Sequence, residues 1–210
     1  MKKHVKICGI TCAEDGLYAE RLGASAIGFI FYPNSKRYIE PKTAGTISSA
    51  LGPFIARVGV FVDEDLSIVM KTVAEAKLTA VQLHGSEDNG YIDRLHGVTV
   101  IKAFRVGSAF DCSVLEGFRA DAFLLDTLVA DEAYGGTGKT FDWDIAVKCK
   151  SYGRIILAGG LNADNIVDAV NTVSPWAVDV SSGVESAPGI KDHAKMKEFF
   201  DHFSTIDCNG

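Results

Sequence analysis

Eight short runs of apolar and β-branched residues recur along this sequence, and their spacing limits the fold more than any other feature. Neighbouring runs begin about 20 to 30 residues apart, which is the length of one strand followed by one helix. Eight such units predict a closed parallel (β/α)₈ barrel, the α/β fold called a TIM barrel. The rival is an open doubly wound sheet, which usually has fewer strands. The runs are Val5–Cys8, Ala26–Phe31, Ile55–Val62, Ala80–Leu83, Val98–Phe104, Ala122–Leu125, Arg154–Ala158 and Ala177–Val180.

The stretches between these runs carry the signals of helices. Apolar residues recur in them at helical spacing, and glycine or proline stands at several of their ends. The segment Asp111–Gly117 is weakly patterned, so any helix there is short. The predicted helices are Glu14–Leu22, one that opens at Pro41, Leu66–Ala76, one that Asn162 caps and that runs to Val173, and Asp192–Phe203.

No linker rich in proline, glycine or serine divides the 210 residues, of which 47% are hydrophobic. We therefore expect one domain over residues 1–205 and a loose tail over 206–210, and a monomer rather than an obligate oligomer. The net charge of −6, without a block of lysines or arginines, predicts neither nucleic acid nor an anionic membrane as a partner. No apolar stretch approaches the length of a signal-peptide core or of a membrane span.

The five cysteines are odd in number and scattered, and no two of them form a CxxC pair. This pattern predicts neither a disulfide framework nor a structural zinc site, and it favours a reducing cytoplasm. No cluster of histidines and cysteines completes a set of ligands for a metal ion. Because cysteine is often a buried packing residue, we interpret Cys12, Cys112, Cys149 and Cys208 in that way.

Polar residues gather where the predicted strands end. Parallel strands covered by helices should be almost entirely apolar, and barrel enzymes carry their catalytic groups at the C-terminal ends of the strands. These polar residues are therefore candidate site residues, although Lys102 is also interpreted as an ion-pair partner inside the barrel and His84 as a structural histidine. They are Lys6 and Cys8 on one face of the first strand, Arg37 in the loop after the second, Gln82, His84, Lys102, Asp126, Asp179 and Ser181.

Two glycine-containing turns follow the last two predicted strands. Gly159 and Gly160 come after the seventh strand, and Ser181, Ser182 and Gly183 come after the eighth. Loops in this position bind phosphate in many barrels, through backbone N–H groups and a helix N-terminus. The sequence therefore predicts a phosphorylated ligand. A third turn, Gly135–Lys139, lacks the spacing of a nucleotide-binding loop and is predicted to be a mobile loop of the active site.

Eight stretches of the sequence together resemble the phosphoribosylanthranilate isomerase family of tryptophan biosynthesis. They occur in the family's order and span nearly the whole chain. The combination of the first and the last stretch is the most specific part of the match. The stretches are Val5–Thr11, Pro33–Tyr38, Val58–Phe61, Val81–Gly85, Leu124–Asp126, Gly135–Trp143, Leu157–Leu161 and Val178–Glu185.

The resemblance implies an isomerase that converts N-(5'-phosphoribosyl)anthranilate into 1-(2-carboxyphenylamino)-1-deoxyribulose 5-phosphate by an Amadori rearrangement without a cofactor. It places the general acid at Asp126 and the general base at Cys8. It also implies that Arg37 binds the anthranilate carboxylate, with Asp179 nearby. The remaining substrate-binding residues that we infer are Gln82, His84, Gly159, Gly160, Ser181, Ser182 and Gly183.

The proposed chemistry sets two conditions on protonation. Cys8 must be partly thiolate to accept a proton, and Lys6 on the same strand face is a candidate source of that shift. Asp126 must hold a proton at neutral pH, which requires an apolar setting or a nearby negative charge.

Each assignment has a plainer alternative. Cys8 could be a packing residue, Asp126 could cap the following loop, and Arg37 could be an ordinary surface arginine. Two other functions also stay open: another phosphosugar enzyme on the same fold, such as indole-glycerol-phosphate synthase or an epimerase, and a barrel that binds phosphate without catalysis. The first would need a lysine–glutamate pair or metal ligands, and the second would predict loss of the acid or the base.

Overall fold

A closed barrel of eight parallel strands forms the centre of the molecule. The computed structural model describes residues 4–128 and 140–206. Each strand is hydrogen-bonded to the next one in the chain, and the last strand closes the barrel against the first. The predicted (β/α)₈ barrel is therefore confirmed. The strands are β1 His4–Cys8, β2 Ala26–Ile30, β3 Ala56–Phe61, β4 Ala80–Leu83, β5 Thr99–Val106, β6 Ala122–Thr127, β7 Ile155–Leu157 and β8 Ala177–Val180.

Helices follow most of the strands, and their bounds agree with the sequence patterns to within a few residues. The weakly patterned segment near Asp111 forms only a 3₁₀ helix, Cys112–Gly117, and two further 3₁₀ helices are Lys150–Tyr152 and Ser182–Val184. A two-stranded hairpin of β9 Glu185–Ala187 and β10 Ile190–Lys191 follows the eighth strand. The helices are α1 Ala13–Arg21, α2 Pro41–Ala50, α3 Leu66–Glu75, α4 Asn89–Ile92, α5 Trp143–Cys149, α6 Ile166–Val173 and α7 His193–Ser204.

The helix starts show why local sequence predicts these elements. The side chain of Asp65 caps α3 by accepting the N–H of Ser67, and Pro41 occupies the first turn of α2. Asn162 does not cap α6 directly. Its side chain accepts the N–H groups of Asp164 and Asn165, so it stabilises a turn that precedes the helix.

The core has two layers because each strand is buried on both faces. A small cluster of short aliphatic residues fills the barrel interior, and a larger cluster fills the space between the strands and the helices. The register aligns the interior residues across neighbouring strands, as for Ala103 with Leu124 and Ile156 with Ala177. The interior cluster consists of Val58, Ala80, Ile101, Ala103, Ala122, Leu124, Ile156, Ala158 and Ala177.

Two of the cysteines form a disulfide bond. Cys112, in the 3₁₀ helix after β5, is bonded to Cys149 at the end of α5, and their Cα atoms are 5.1 Å apart. The interpretation of these two cysteines as unpaired packing residues is therefore wrong. They are 37 residues apart in sequence, and the barrel brings them together because the segments after adjacent strands pack side by side. Cys8 is a buried free thiol and Cys12 an exposed one.

Some expectations fall outside the described part of the chain. The Gly135–Lys139 loop, Cys208 and most of the expected tail belong to residues 129–139 and 207–210, which the structure does not describe. Ile206, at the start of that tail, is buried in the core. None of the helices in residues 4–128 and 140–206 combines the length and apolar character needed to cross a membrane.

Candidate active site

A single cavity at the C-terminal end of the barrel contains ten of the eleven site residues inferred from the sequence. Strand alternation explains this, because side chains at the end of each parallel strand point to the same mouth. The inferred residues in its wall are Cys8, Arg37, Gln82, His84, Asp126, Gly159, Gly160, Asp179, Ser181 and Ser182.

Cys8 is the last residue of β1, and Lys6 precedes it on the same face of the strand. The ammonium group of Lys6 contacts Asp179 of the adjacent strand β8, with Nζ 2.7 Å from Oδ2, and both side chains are buried. Burial alone would lower the pKa of Lys6, but the charges of Asp179 and Cys8 raise it above its ordinary value. Lys6 is therefore a positively charged neighbour of the thiol.

The surroundings of Cys8 nevertheless favour the neutral thiol. Burial raises the pKa of Cys8, Lys6 and Lys191 act in the opposite direction, and the carboxylate of Asp179 adds to the rise. Lys6 thus has the predicted effect, but burial outweighs it. The expected partial thiolate would need a further positive charge near the sulfur.

Asp126 lies near the end of β6 with its side chain in the cavity. Burial, together with the negative charge of Asp179, raises the pKa of Asp126 to about 6. One oxygen, Oδ1, accepts the N–H of Thr127 at 2.9 Å. Both conditions named from the sequence, an apolar setting and a nearby negative charge, are present, so this carboxyl group can hold a proton close to neutral pH.

Gln82 and His84 form a polar chain that leads to Asp126. The Nε2 of Gln82 lies 3.2 Å from Nδ1 of His84, and Nε2 of His84 lies 3.7 Å from Oδ2 of Asp126. Burial and the charge of Arg105 lower the pKa of His84 to about 3, so the imidazole is neutral. If the Gln82 amide donates to Nδ1, the ring proton is on Nε2 and faces the carboxyl group of Asp126.

Arg37 is held in the cavity wall by Glu185. The guanidinium Nε and Nη2 atoms donate to both carboxylate oxygens at 2.7 to 3.1 Å, in the bidentate arrangement. The aliphatic stem of Arg37 crosses Gly9, where an added Cβ would lie 2.7 Å from Cδ of the arginine. Because Gly9 also has a φ of +77°, glycine is required there for two reasons.

The loops after β7 and β8 pack directly against each other. An added Cβ on Gly183 would overlap the backbone carbonyl of Leu161, so glycine permits this close approach. Gly183 is the one inferred site residue outside the cavity wall. The amide of Asn165 donates to the carbonyl of Gly160 at 2.9 Å and supports the first of the two loops.

Three buried polar atoms of the cavity residues have no hydrogen-bond partner within the described ranges. They are Oε1 of Gln82, Oδ1 of Asp179 and Oγ of Ser181. Buried polar atoms are normally paired, so unpaired ones that share one cavity are positions for a polar ligand. Hydroxyl groups of a sugar are suitable partners for them.

Comparison with known proteins identifies the family. The family model for N-(5'phosphoribosyl)anthranilate (PRA) isomerase matches residues 5–202. The chain belongs to this family. A PRA isomerase of Geotalea uraniireducens is 51% identical over 195 residues, which cover 93% of this chain and 95% of the relative. The family resemblance inferred from the sequence motifs is confirmed.

Solved structures of PRA isomerases share the fold. The Thermotoga maritima structure has a TM-score of 0.91 and 44% identity, and the match covers 97% of this chain and all of the other. A second structure contains reduced 1-(o-carboxyphenylamino)-1-deoxyribulose 5-phosphate, with a TM-score of 0.87, 41% identity, and coverage of 97% of this chain and 100% of that one.

Several residues that line or support the PRA isomerase cavity were not selected from the sequence. Glu185 lies at the end of a recognised motif, but nothing local indicates that it pairs with an arginine 148 positions away. Most of the other wall residues are apolar and lack any chemical signal, so only the predicted strand ends could have located them. The additional wall residues are Ile30, Tyr32, Ser35, Val60, Val62, Leu124, Ala158, Leu161 and Val180.

Proposed function

We propose that this chain converts N-(5'-phosphoribosyl)anthranilate into 1-(2-carboxyphenylamino)-1-deoxyribulose 5-phosphate, with Asp126 as the general acid and Cys8 as the general base. Membership of the PRA isomerase family supports the reaction. The observation that carries the two roles is the shared cavity, in which Asp126 has a pKa raised to about 6 and Cys8 is a free thiol. Both members of the acid–base pair are thus present, which disfavours a barrel that only binds phosphate.

The first step in this proposal is proton transfer from Asp126 to the ring oxygen of the sugar. The carbon–oxygen bond breaks, and the substrate nitrogen supplies the electron pair that forms the Schiff base. Asp126 becomes a carboxylate in this step. The nearby neutral imidazole of His84, with Nε2 at 3.7 Å, is placed to stabilise that negative charge.

In the second step Cys8 removes the C2′ proton, and the electron pair moves to the Schiff-base nitrogen. The positive charge on that nitrogen acidifies the C2′ proton and favours the thiolate, and Lys6 acts in the same direction. The resulting enolamine tautomerises to the ketone. No cofactor is needed, because the substrate nitrogen acts as the electron sink.

Substrate binding divides the cavity into three regions in this proposal. Backbone N–H groups of the loops at Gly160 and Ser182 bind the phosphate. Arg37 binds the anthranilate carboxylate. The unpaired atoms of Asp179 and Ser181 bind hydroxyl groups between these two ends.

The decisive test follows the loss of substrate fluorescence with purified enzyme. Asp126→Asn and Cys8→Ser should each reduce kcat by about 10²- to 10⁴-fold, since each removes one proton-transfer group. Cys12→Ser is the matched control, because this other free cysteine is exposed and outside the cavity wall. No turnover by the wild type would reject the function, whereas a nearly unchanged kcat for Cys8→Ser would reject only the base assignment.

We also propose that the chain acts as a monomer in the cytoplasm. The support for the monomer is that one chain already forms the cavity that holds the proposed acid and base. Two observations favour the alternative of a dimer: a Thermotoga maritima relative is described as dimeric, and Phe54 is fully exposed here. The mass in solution should therefore be measured by light scattering. A mass of 22.5 kDa supports the monomer, and twice that value rejects it.

Because phosphate monoesters do not cross membranes unaided, the enzyme should fractionate with cytoplasmic contents.

A further inference from the structure

Lys191 is a buried lysine behind the cavity wall, and its ammonium group contacts three different parts of the site. Its Nζ atom donates to the carbonyl of Cys8 at 2.6 Å, to the carbonyl of Ser181 at 3.2 Å and to Oε1 of Glu185 at 2.8 Å. The side chain has no solvent exposure. An ammonium group has three N–H donors, so these contacts use all of them.

Glu185 extends the same set of contacts to Arg37. Its two oxygens accept from Lys191, from Nε and Nη2 of Arg37, and from the N–H of Gly189. Burial alone would raise the pKa of Glu185, but the bonds from Arg37 and Lys191 lower it, so the side chain is ionised. One carboxylate thus accepts from two basic side chains. Burial lowers the pKa of Lys191, and the charge of Glu185 acts in the opposite direction.

Lys191 holds the carboxylate that in turn orients the guanidinium group of Arg37. Its side chain makes these contacts out of contact with solvent. It also anchors the backbone at the end of β1, so the position of Arg37 is linked to the position of Cys8.

We propose that Lys191 and Glu185 are positioning residues that fix the carboxylate-binding Arg37 relative to the base-bearing end of β1. This inference rests on the proposed function for the identity of the ligand. The two residues touch no substrate atom themselves. They act through the guanidinium group and through the backbone carbonyls of Cys8 and Ser181.

The test compares Lys191→Met and Glu185→Gln with the wild type by calorimetric titration with two ligands. Reduced 1-(o-carboxyphenylamino)-1-deoxyribulose 5-phosphate probes the whole cavity, and inorganic phosphate probes the phosphate loops alone. Each variant should bind the carboxylate-containing ligand at least about tenfold more weakly, as expected for the loss of one charge-assisted hydrogen bond. Phosphate affinity should fall much less. An equal loss for both ligands, or no loss in a folded variant, would overturn the proposal.

The matched control is Lys195→Met. Lys195 also donates to Glu185, but to its backbone carbonyl at 2.8 Å, and it is exposed. This variant removes a lysine from the same segment without removing a contact to Arg37 or Cys8. It should bind both ligands as the wild type does, and thermal melting should show all three variants folded.

A second readout does not depend on turnover. The charged groups that act on Cys8 are Lys6, Asp179 and Lys191. The pH dependence of Cys8 alkylation by iodoacetamide therefore measures how these charges shift the pKa of the thiol. Lys191→Met removes one of these groups and should move the Cys8 profile to higher pH, whereas Lys195→Met should leave the profile unchanged. Peptide mass spectrometry separates Cys8 from Cys12.

The two readouts distinguish the failure of this inference from the failure of the proposed function. If the wild type has no turnover, the proposed function fails, but the alkylation profile of Lys191→Met still tests the linkage to Cys8. An unchanged Cys8 profile in folded Lys191→Met would overturn the proposal. If Lys191→Met does not fold, Glu185→Gln alone still decides it through the unequal loss of the two ligands.

Discussion

Burial shifts the pKa values of two side chains in the same cavity, Asp126 and His84, in opposite directions. It raises the pKa of Asp126 to about 6 and lowers that of His84 to about 3, because both groups lose hydration of their charged forms. The acid therefore keeps a proton and the histidine stays neutral, at a separation of 3.7 Å. This opposite shift is the residue-level reason to assign acid catalysis to Asp126 and not to His84.

The raised pKa of Asp126 predicts how stability depends on pH. The folded protein holds this proton up to about pH 6, whereas the unfolded chain loses it near pH 3.8. The protonated carboxyl group therefore stabilises the fold fully below pH 3.8, and this stabilisation is lost as the pH rises to about 6. The contribution is about 3 kcal/mol. Urea unfolding between pH 4 and 8 should show this decrease in the wild type but not in Asp126→Asn. Parallel pH profiles of the two proteins would refute it.

Gly9→Ala is predicted to affect both stability and substrate binding. The methyl group would lie 2.7 Å from Cδ of Arg37 and would push the guanidinium away from Glu185, so KM should rise. The positive φ adds a destabilisation of about 1 to 2 kcal/mol. Gly97→Ala is the matched control, since its φ is +78° and no atom lies within 4 Å. It should lose similar stability in chemical denaturation and keep the wild-type KM.

At the scale of elements, a buried ion pair connects the loops after β3 and β4 to strand β5. Nζ of Lys102 is 2.7 Å from Oε2 of Glu87, and the side chains are 3% and 2% exposed. Glu87 also accepts the N–H groups of Asp63 and Gly85. The sequence-based interpretation of Lys102 as an ion-pair partner is confirmed, and the pair holds loop segments next to His84.

Lys102→Met should therefore destabilise the protein strongly. It leaves the carboxylate of Glu87 buried without its cation, which costs about 3 to 5 kcal/mol, and adding Glu87→Gln should recover part of the loss. Lys197→Met is the control, because its pair with Asp201 is 59% exposed on both sides and solvent screening leaves it little effect on stability. Equal losses in urea unfolding for the two single variants would contradict the prediction.

At the scale of the whole molecule, the disulfide bond joins segments that follow two adjacent strands. Cys149 is fully buried, and the bond closes a loop between positions 37 residues apart. Because the sequence argument for a reducing compartment assumed unpaired cysteines, that argument no longer supports the cytoplasm by itself.

Reduction of this bond is predicted to destabilise the fold without changing the free thiol of Cys8. The loss should be on the order of 4 kcal/mol in the chain-entropy model. Denatured, unreduced protein should contain two titratable thiols fewer than denatured, reduced protein, and a reductant should lower Tm. The double variant Cys112→Ser, Cys149→Ser should show no effect of the reductant. Five thiols before reduction would contradict the prediction.

The positions of Cys8 and Asp126 could be inferred from sequence because they depend on local pattern. A polar residue at the end of an apolar strand stands out, and parallel strands bring such ends together. The pairing of Arg37 with Glu185 and the contacts of Lys191 could not be inferred. They join residues up to 183 positions apart, and no local periodicity encodes which charged side chains meet.

By itself the sequence determined the barrel, the family and the strand ends from which the cavity is built, since hydrophobic periodicity and short motifs act over a few residues. Only the tertiary structure decided the protonation of the site. Burial raises the pKa of both Asp126 and Cys8, as the acid role of Asp126 requires and against the thiolate expected of Cys8. Burial and the facing charges depend on all the elements packed around a group, and a linear sequence does not specify them before the chain is folded.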